Sequence, residues 1–416
     1  MRFARTALIY AGTSALASGI PILLMPLLTR VLPPEDYGRI ALFLLGMNFL
    51  TVMTGVGLNG AMSVKYFRED IDFPRYAGTC IWIVAGLSVV YLLAAPLYLG
   101  PLSNVMEIGS SVLLLMVLAA SANAVILIRL AIWQVKYQAG YFGGLRITQA
   151  SLDVGFSLLL VLVLYWGWQG RVFGASIAFL GAGTLCLISL ARDGLLVARP
   201  DRAYLRDALM FGIPLMPHLV AGLLLTLADR FLVANLLSVE AAGVYMVAVQ
   251  IGLALNLIVV SVNQTFAPWL MRQLSAEDAI RDMRIVRVTY LYMAALLVTA
   301  LVLGQLARIA LGLLAGEAYQ DAAVVIPLIT LGIAASGGYY MVTNYIFYAG
   351  KTALLSVLTT VVGTASVGMS YLLIARFGIL GAGMGVALAQ TVMFLGTWGL
   401  AQYCRPMPWR AALRRG

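Results

Sequence analysis

The chain has 416 residues, of which 62% are hydrophobic and 11% charged, against about 45–50% and about 25% in soluble domains. That composition excludes a water-soluble fold and leaves no room for a separate soluble enzyme domain. The net charge of +10 does not point to nucleic acid, because the Lys and Arg residues stand in short breaks between apolar runs and form no continuous basic face.

In chain order, apolar runs fall at about 7–31, 38–60, 77–99, 111–134, 145–166, 171–191, 209–235, 242–265, 288–312, 322–346, 352–374 and 379–402. Each approaches or exceeds the roughly 20 residues a membrane helix requires, and within lipid only a helix or a closed barrel satisfies its own backbone. The expected fold class is an all-α polytopic membrane protein of about 12 transmembrane helices. Met1-Arg2-Phe3-Ala4-Arg5 with Ala15-Leu16-Ala17 imitates a secretory signal, but the run continues to about Val31 and reads as a retained first span. On alternating sides, Arg30, Arg39, Arg171, Arg308 and Arg376 fall outside and Arg129 and Arg230 within spans; every other Lys and Arg shares the side of the two termini. That bias predicts an N-in, C-in orientation.

A repeat is visible in the sequence. Glu35 and Gly38 match Glu240 and Gly243 at an offset of 205, while Tyr141 matches Tyr348 and Phe173-Gly174-Ala175 matches Leu380-Gly381-Ala382 at 207. Six spans per copy predict two pseudo-symmetric six-helix lobes, 1–191 and 208–416, with a site between them. The basic cytoplasmic connector 192–207 is the expected hinge. Ser275-Ala276-Glu277-Asp278, followed by Ile280, Met283 and Ile285, reads either as a short interfacial helix or as a solvated loop.

Polar residues inside spans are costly and mark candidate sites. Arg146, Gln149, Asp153 and Ser157 share a helical face, which suits a hydrated cavity with a proton or cation site, or hydrogen bonding between helices. In Phe211-Gly212-Ile213-Pro214-Leu215-Met216-Pro217-His218 two prolines predict a kinked, cavity-lining helix. His218 and Asp229 fall on one face of it, with Arg230 beside Asp229; the pair either attracts anions or neutralises itself. His218, the one histidine, suits proton coupling or plain packing. Arg129 reads as a snorkelling residue and Arg30 as a headgroup contact at the outer mouth. Asn48, Asn256, Tyr340 and Asn344 suit sugar hydroxyls or interhelical glue equally. Nucleotide-binding, nucleophile-elbow and metalloprotease motifs are absent, as is C-x-x-C, so no catalytic residue, metal or cofactor is expected.

Leu32-Pro33-Pro34-Glu35-Asp36-Tyr37-Gly38, Gly212-Ile213-Pro214-Leu215-Met216-Pro217, Asp229-Arg230-Phe231, Gly316-Glu317-Ala318-Tyr319-Gln320-Asp321-Ala322-Ala323 and Ala349-Gly350-Lys351 form a set of short patches along the chain. Together they resemble the Wzx-type O-antigen and polysaccharide flippases of the MOP superfamily. The resemblance implies a multi-pass protein of the bacterial inner membrane that moves an undecaprenyl-pyrophosphate-linked oligosaccharide outward by alternating access, in lipopolysaccharide or other surface polysaccharide assembly. It implies membrane lipids, a polysaccharide polymerase and glycosyltransferases as partners. The headgroup would be met by Arg230 with Arg30 or Arg129 and by Asn48, Asn256, Tyr340 and Asn344, and H⁺ or Na⁺ coupling would run through Asp153, Asp229 or His218. No inward arginine row of the family's kind is matched. The competing readings are a MATE-like drug or metabolite cation antiporter and a non-transporting membrane scaffold.

Overall fold

A computed structural model describes residues 12, 19, 24–274 and 279–414, and among these every regular element is helical. Helix α1 is described over 24–31. Helix α2 (Pro34–Gly55) starts on Pro34, whose missing N–H costs nothing at a first turn, with Glu35 and Asp36 against the positive end of the helix dipole. It stops because Val56 and Gly57 take φ values of 43° and 66°, and α3 (Leu58–Lys65) continues after the break. Gly212 lies against the Val56 carbonyl, where a Cβ would collide with it.

Helices α4 (Phe73–Met106), α5 (Ser110–Val135) and α6 (Ala139–Leu158) follow, the last ending in a π-helical turn, Leu159–Val163. Then come α7 (Gly167–Arg192), α8 (Arg202–Leu236), α9 (Val239–Leu274), α10 (Ala279–Leu314), α11 (Ala322–Tyr348), α12 (Thr352–Cys404) and α13 (Trp409–Arg414). Ten helices among the described residues are long and apolar enough to cross a membrane. At 53 residues α12 is too long for one crossing, since a helix rising 1.5 Å per residue needs only about 20 residues for a core about 30 Å thick. It is two arms meeting at Gly378, whose φ of 60° and ψ of −140° are not helical. The chain is an all-α polytopic membrane protein.

Two expectations change. Ile280, Met283 and Ile285 are not in a separate interfacial helix: they occupy the first turns of the 36-residue α10, where Arg281, Arg284 and Arg287 favour an unbroken helix. The capping stretch Ser275–Asp278 lies outside the described residues. The connector is not a free hinge either. Trp82 donates from Nε1 to the Val197 carbonyl at 2.9 Å, the Asp201 N–H donates to Thr79 Oγ1 at 3.1 Å, and Arg75 pairs with Asp201 at 3.2 Å. The Asp72 N–H donates to Tyr204 Oη at 3.0 Å, and Lys65 pairs with Asp207 at 2.6 Å. A Cβ on Gly78 would lie 2.9 Å from the Leu195 carbonyl oxygen, so the connector follows α4 at backbone distance.

The described residues form two compact units: 31–220 with 12 and 19, and 24–30 with 221–274 and 279–414. The division falls at Val220, inside α8 and downstream of the connector. In the first unit α5 is the central helix, packed by α2, α3, α4 and α7; in the second α11 is packed by α9, α10 and α12. Around α5 the first core gathers Leu58, Met62, Tyr76, Cys80, Ile126, Ile132 and Cys186. Met341, Val342, Tyr345 and Ile346 of α11 anchor the second. Occupying the same place in the order of each half, α5 and α11 express the repeat.

Its register differs from the sequence reading in the later helices. Gly170 and Gly174 press on Leu160 and Ser157, and Gly381 and Gly385 press on Leu373 and Ser370. Gly170 therefore corresponds to Gly381 and Gly174 to Gly385 at an offset of 211, and Ser157 to Ser370 and Leu160 to Leu373 at 213, rather than 207. Tyr141, near the start of α6, is not the counterpart of Tyr348, at the end of α11. The shift enters where the three-residue link 107–109 is replaced by a longer one, 315–321, carrying the 3₁₀ turn Glu317–Tyr319.

Candidate functional site

Small residues let membrane helices approach closely, and Gly170 and Gly174 bring α7 against α6. That approach places Arg171 opposite Asp153. Its Nη1 lies 2.5 Å from Oδ1 and donates to Ser157 Oγ at 2.9 Å, while Nη2 donates to Oδ2 at 3.2 Å. Arg171 is 6% exposed. This is a two-pronged guanidinium–carboxylate pair, the strongest geometry for such groups. Reading Arg171 as an outer-loop residue missed it; the Gly-x-x-x-Gly spacing around it was the available signal.

A second pair lies in the other unit. Asp229 Oδ1 accepts from the Arg230 N–H at 2.9 Å and from Arg230 Nη1 at 3.0 Å, while Tyr245 Oη donates to Oδ2 at 2.5 Å. Arg230 Nη1 also donates to the Thr226 carbonyl. Both residues are buried, so the adjacent pair neutralises itself, and Tyr245 of α9 is a partner the sequence did not reveal. His218 stands on the same helix within the first unit, half-buried, and its Nδ1 is buried without a hydrogen-bond partner among the described residues.

Arg129 does not snorkel. It is 1% exposed, pairs with Asp193 at 2.5 Å, donates to Ser189 Oγ at 2.7 Å and lies 4.5 Å over the Trp133 ring. A carboxylate and a hydroxyl near the end of α7 hold its charge where extension toward solvent was expected. Arg30 is exposed and donates to the Leu313 carbonyl at 3.2 Å, at the end of α10. Asn48 donates to its own helix at Leu44 O, 2.7 Å away. Asn344 is buried and donates to Asn263 Oδ1 at 3.0 Å and to Tyr340 O at 2.8 Å, tying α11 to α9. Tyr340 is half-buried and edge-on to Tyr339 at 5.3 Å; Asn256 is half-buried.

Arg146 differs from these arginines. It sits seven residues into α6, about 10 Å along the helix, half-buried beside the Phe142 ring at 6.0 Å. Its Nε is buried and unpartnered, as are Nε and Nη1 of Arg129; what sets Arg146 apart is that no carboxylate lies within ion-pair distance of it among the described residues. Arg129, Arg171 and Arg230 are each neutralised, and so are Asp153 and Asp229. The uncompensated charge at this depth of α6 is positive.

Residues 3–274 match the family described as polysaccharide biosynthesis protein. A protein of the Lsg locus of Haemophilus influenzae is 21% identical over 387 residues, covering 88% of this chain and 90% of its own. Among solved structures, an inward-facing multidrug resistance MATE family transporter of the MOP superfamily aligns over 99% of this chain and 96% of its own, with a TM-score of 0.70 and 13% identity. A MOP superfamily transporter from Pyrococcus furiosus, for which reversed polarity of the binding pocket is taken to suggest a different function, covers 100% and 96% with a TM-score of 0.67 and 12% identity. The match over residues 3–274 covers more than half of the chain, and the chain belongs to the polysaccharide biosynthesis protein family.

Proposed function

We propose that the protein is a flippase that carries a lipid-linked oligosaccharide, joined through a diphosphate to a polyprenyl chain, from the inner to the outer leaflet of a bacterial inner membrane. The family and the fold support a membrane transporter. The observation that carries the finer reading is Arg146: a half-buried, unpaired guanidinium inside a membrane helix, with the neighbouring carboxylates neutralised. Such a group is costly in lipid, and an anionic headgroup, to which guanidinium donates bidentately, offsets that cost. The polyprenyl tail would stay in lipid while the headgroup follows the polar face of α6. Substrate would come from glycosyltransferases and pass to a polysaccharide polymerase. H⁺ or Na⁺ coupling at His218, Asp153 or Asp229 belongs to this proposal; of the three, His218 alone has a buried polar atom without a partner.

Depleting the protein should leave lipid-linked repeat units on the inner leaflet, and Arg146→Ala should reproduce that accumulation at normal protein levels, with Arg146→Lys intermediate. Normal outward exposure in Arg146→Ala cells would remove the basis of the reading. A cation antiporter is the second reading, favoured by the MATE structures that share the fold. It requires an unpaired acid, and Asp153 and Asp229 are both paired; saturable uptake of an organic cation by proteoliposomes, abolished by Asp229→Asn, would favour it.

A further inference from the structure

At the end of the first unit opposite the connector, the link between α6 and α7 and the start of α5 border an open, shallow cavity of about 380 Å³, lined by Ser111, Val112, Tyr165, Trp166, Gln169 and Phe173. That volume is within the usual range for small-ligand sites. The lining combines aromatic faces with hydrogen-bonding groups. Tyr165 is 82% exposed and Trp166 49% exposed, with Trp166 edge-on to Phe173 at 6.1 Å. The side chains of Ser111 and Gln169 are exposed and have no hydrogen-bond partner among the described residues. The link is held in place rather than loose. Tyr165 and Gly167 take φ values of 55° and 58°, the Trp166 N–H donates to the Leu160 carbonyl at 3.0 Å, and Arg39 lies 5.8 Å over the Trp168 ring.

We infer that this cradle is a subsite for a sugar ring, an inference that rests on the flippase reading and adds a place for the glycan itself. A pyranose offers an apolar C–H face to an aromatic ring, and hydroxyls at its rim to an amide such as Gln169 and a hydroxyl such as Ser111. Tyr and Trp also gather at membrane interfaces as anchors, but anchoring needs neither a cavity nor Gln169. On the orientation expected from the basic residues this end is the outer one, so the subsite would receive the glycan after its headgroup has crossed.

The test uses the purified full chain in nanodiscs with free di- to tetrasaccharides of N-acetylglucosamine, galactose and rhamnose, read by saturation-transfer NMR. Saturable transfer to ring protons of at least one sugar is expected, reduced at least about fivefold by Gln169→Ala and by Trp166→Ala and unchanged by Tyr371→Ala, an exposed aromatic elsewhere. Gln169 is exposed, so its variant tests the site without disturbing a core. No transfer to the wild-type protein, or equal transfer to wild type and Gln169→Ala, overturns the subsite. The two proposals fail separately: sugar binding with normal glycolipid exposure in Arg146→Ala cells removes the flippase reading, and absent sugar binding with blocked exposure removes the subsite alone.

Discussion

The α6–α7 hairpin and the two arms of α12 are the same construction with different polar content. In both, a Gly-x-x-x-Gly stretch admits the preceding helix, with Gly174 against Ser157 and Gly385 against Ser370. The first hairpin adds the Asp153–Arg171 pair. At the matching places of the second stand Ser366, which hydrogen-bonds its own helix at Gly363 O, and Ala382, which is fully buried. Close helix packing therefore does not need the ions. The ion pair is a property of one lobe, and the Asp229–Arg230–Tyr245 set is a property of the other.

The largest effect expected is at the ions. Arg171→Ala leaves Asp153 without its partner in a low-dielectric setting and should cost about 3–5 kcal/mol, read as a loss of thermal stability in nanodiscs; Asp153→Leu with Arg171→Leu should recover most of it. A double variant as unstable as the single one would mean that the hairpin does depend on the pair. Next come the glycines. A Cβ on Gly174 would lie 2.6 Å from the Ser157 backbone nitrogen, whereas on Gly385 it would meet the movable Ser370 Oγ at 2.6 Å, with backbone no nearer than 3.4 Å. Gly174→Ala should thus cost about 1–3 kcal/mol and Gly385→Ala clearly less; equal losses would show that the two hairpins are not packed alike. The smallest effect is at the amide tie: Asn344→Leu should cost about 1 kcal/mol, the scale of hydrogen bonds between membrane helices, and Asn263→Leu should add little to it.

Much of the fold was legible because lipid permits so few solutions. The gap between the apolar runs ending at 374 and starting at 379 anticipates the non-helical Gly378, and Pro33-Pro34 anticipates the start of α2. The candidate residues were less legible. Asp153, Asp229 and Arg230 stood out as charges inside apolar runs, yet Arg171 and Tyr245, which complete their pairs, lie 18 and 16 residues away on other helices. Arg129, inside one apolar run, and Arg146, at the start of another, both read as arginines near the side of the termini, and only the contact of Arg129 with Asp193 at the end of α7 separates a neutralised arginine from an unpaired one.

By itself the sequence determined that the chain is a bundle of membrane helices, roughly where each begins, and which residues carry charge into the bilayer, because hydropathy and backbone hydrogen bonding are settled within a single segment. The tertiary structure decided which charges cancel, that the connector is strapped to α4, and that the last two helices of the repeat are offset by 213 and 211 residues rather than 207. Those outcomes depend on contacts between helices, whose partners are set by close packing at particular glycines and not by the composition of either helix alone.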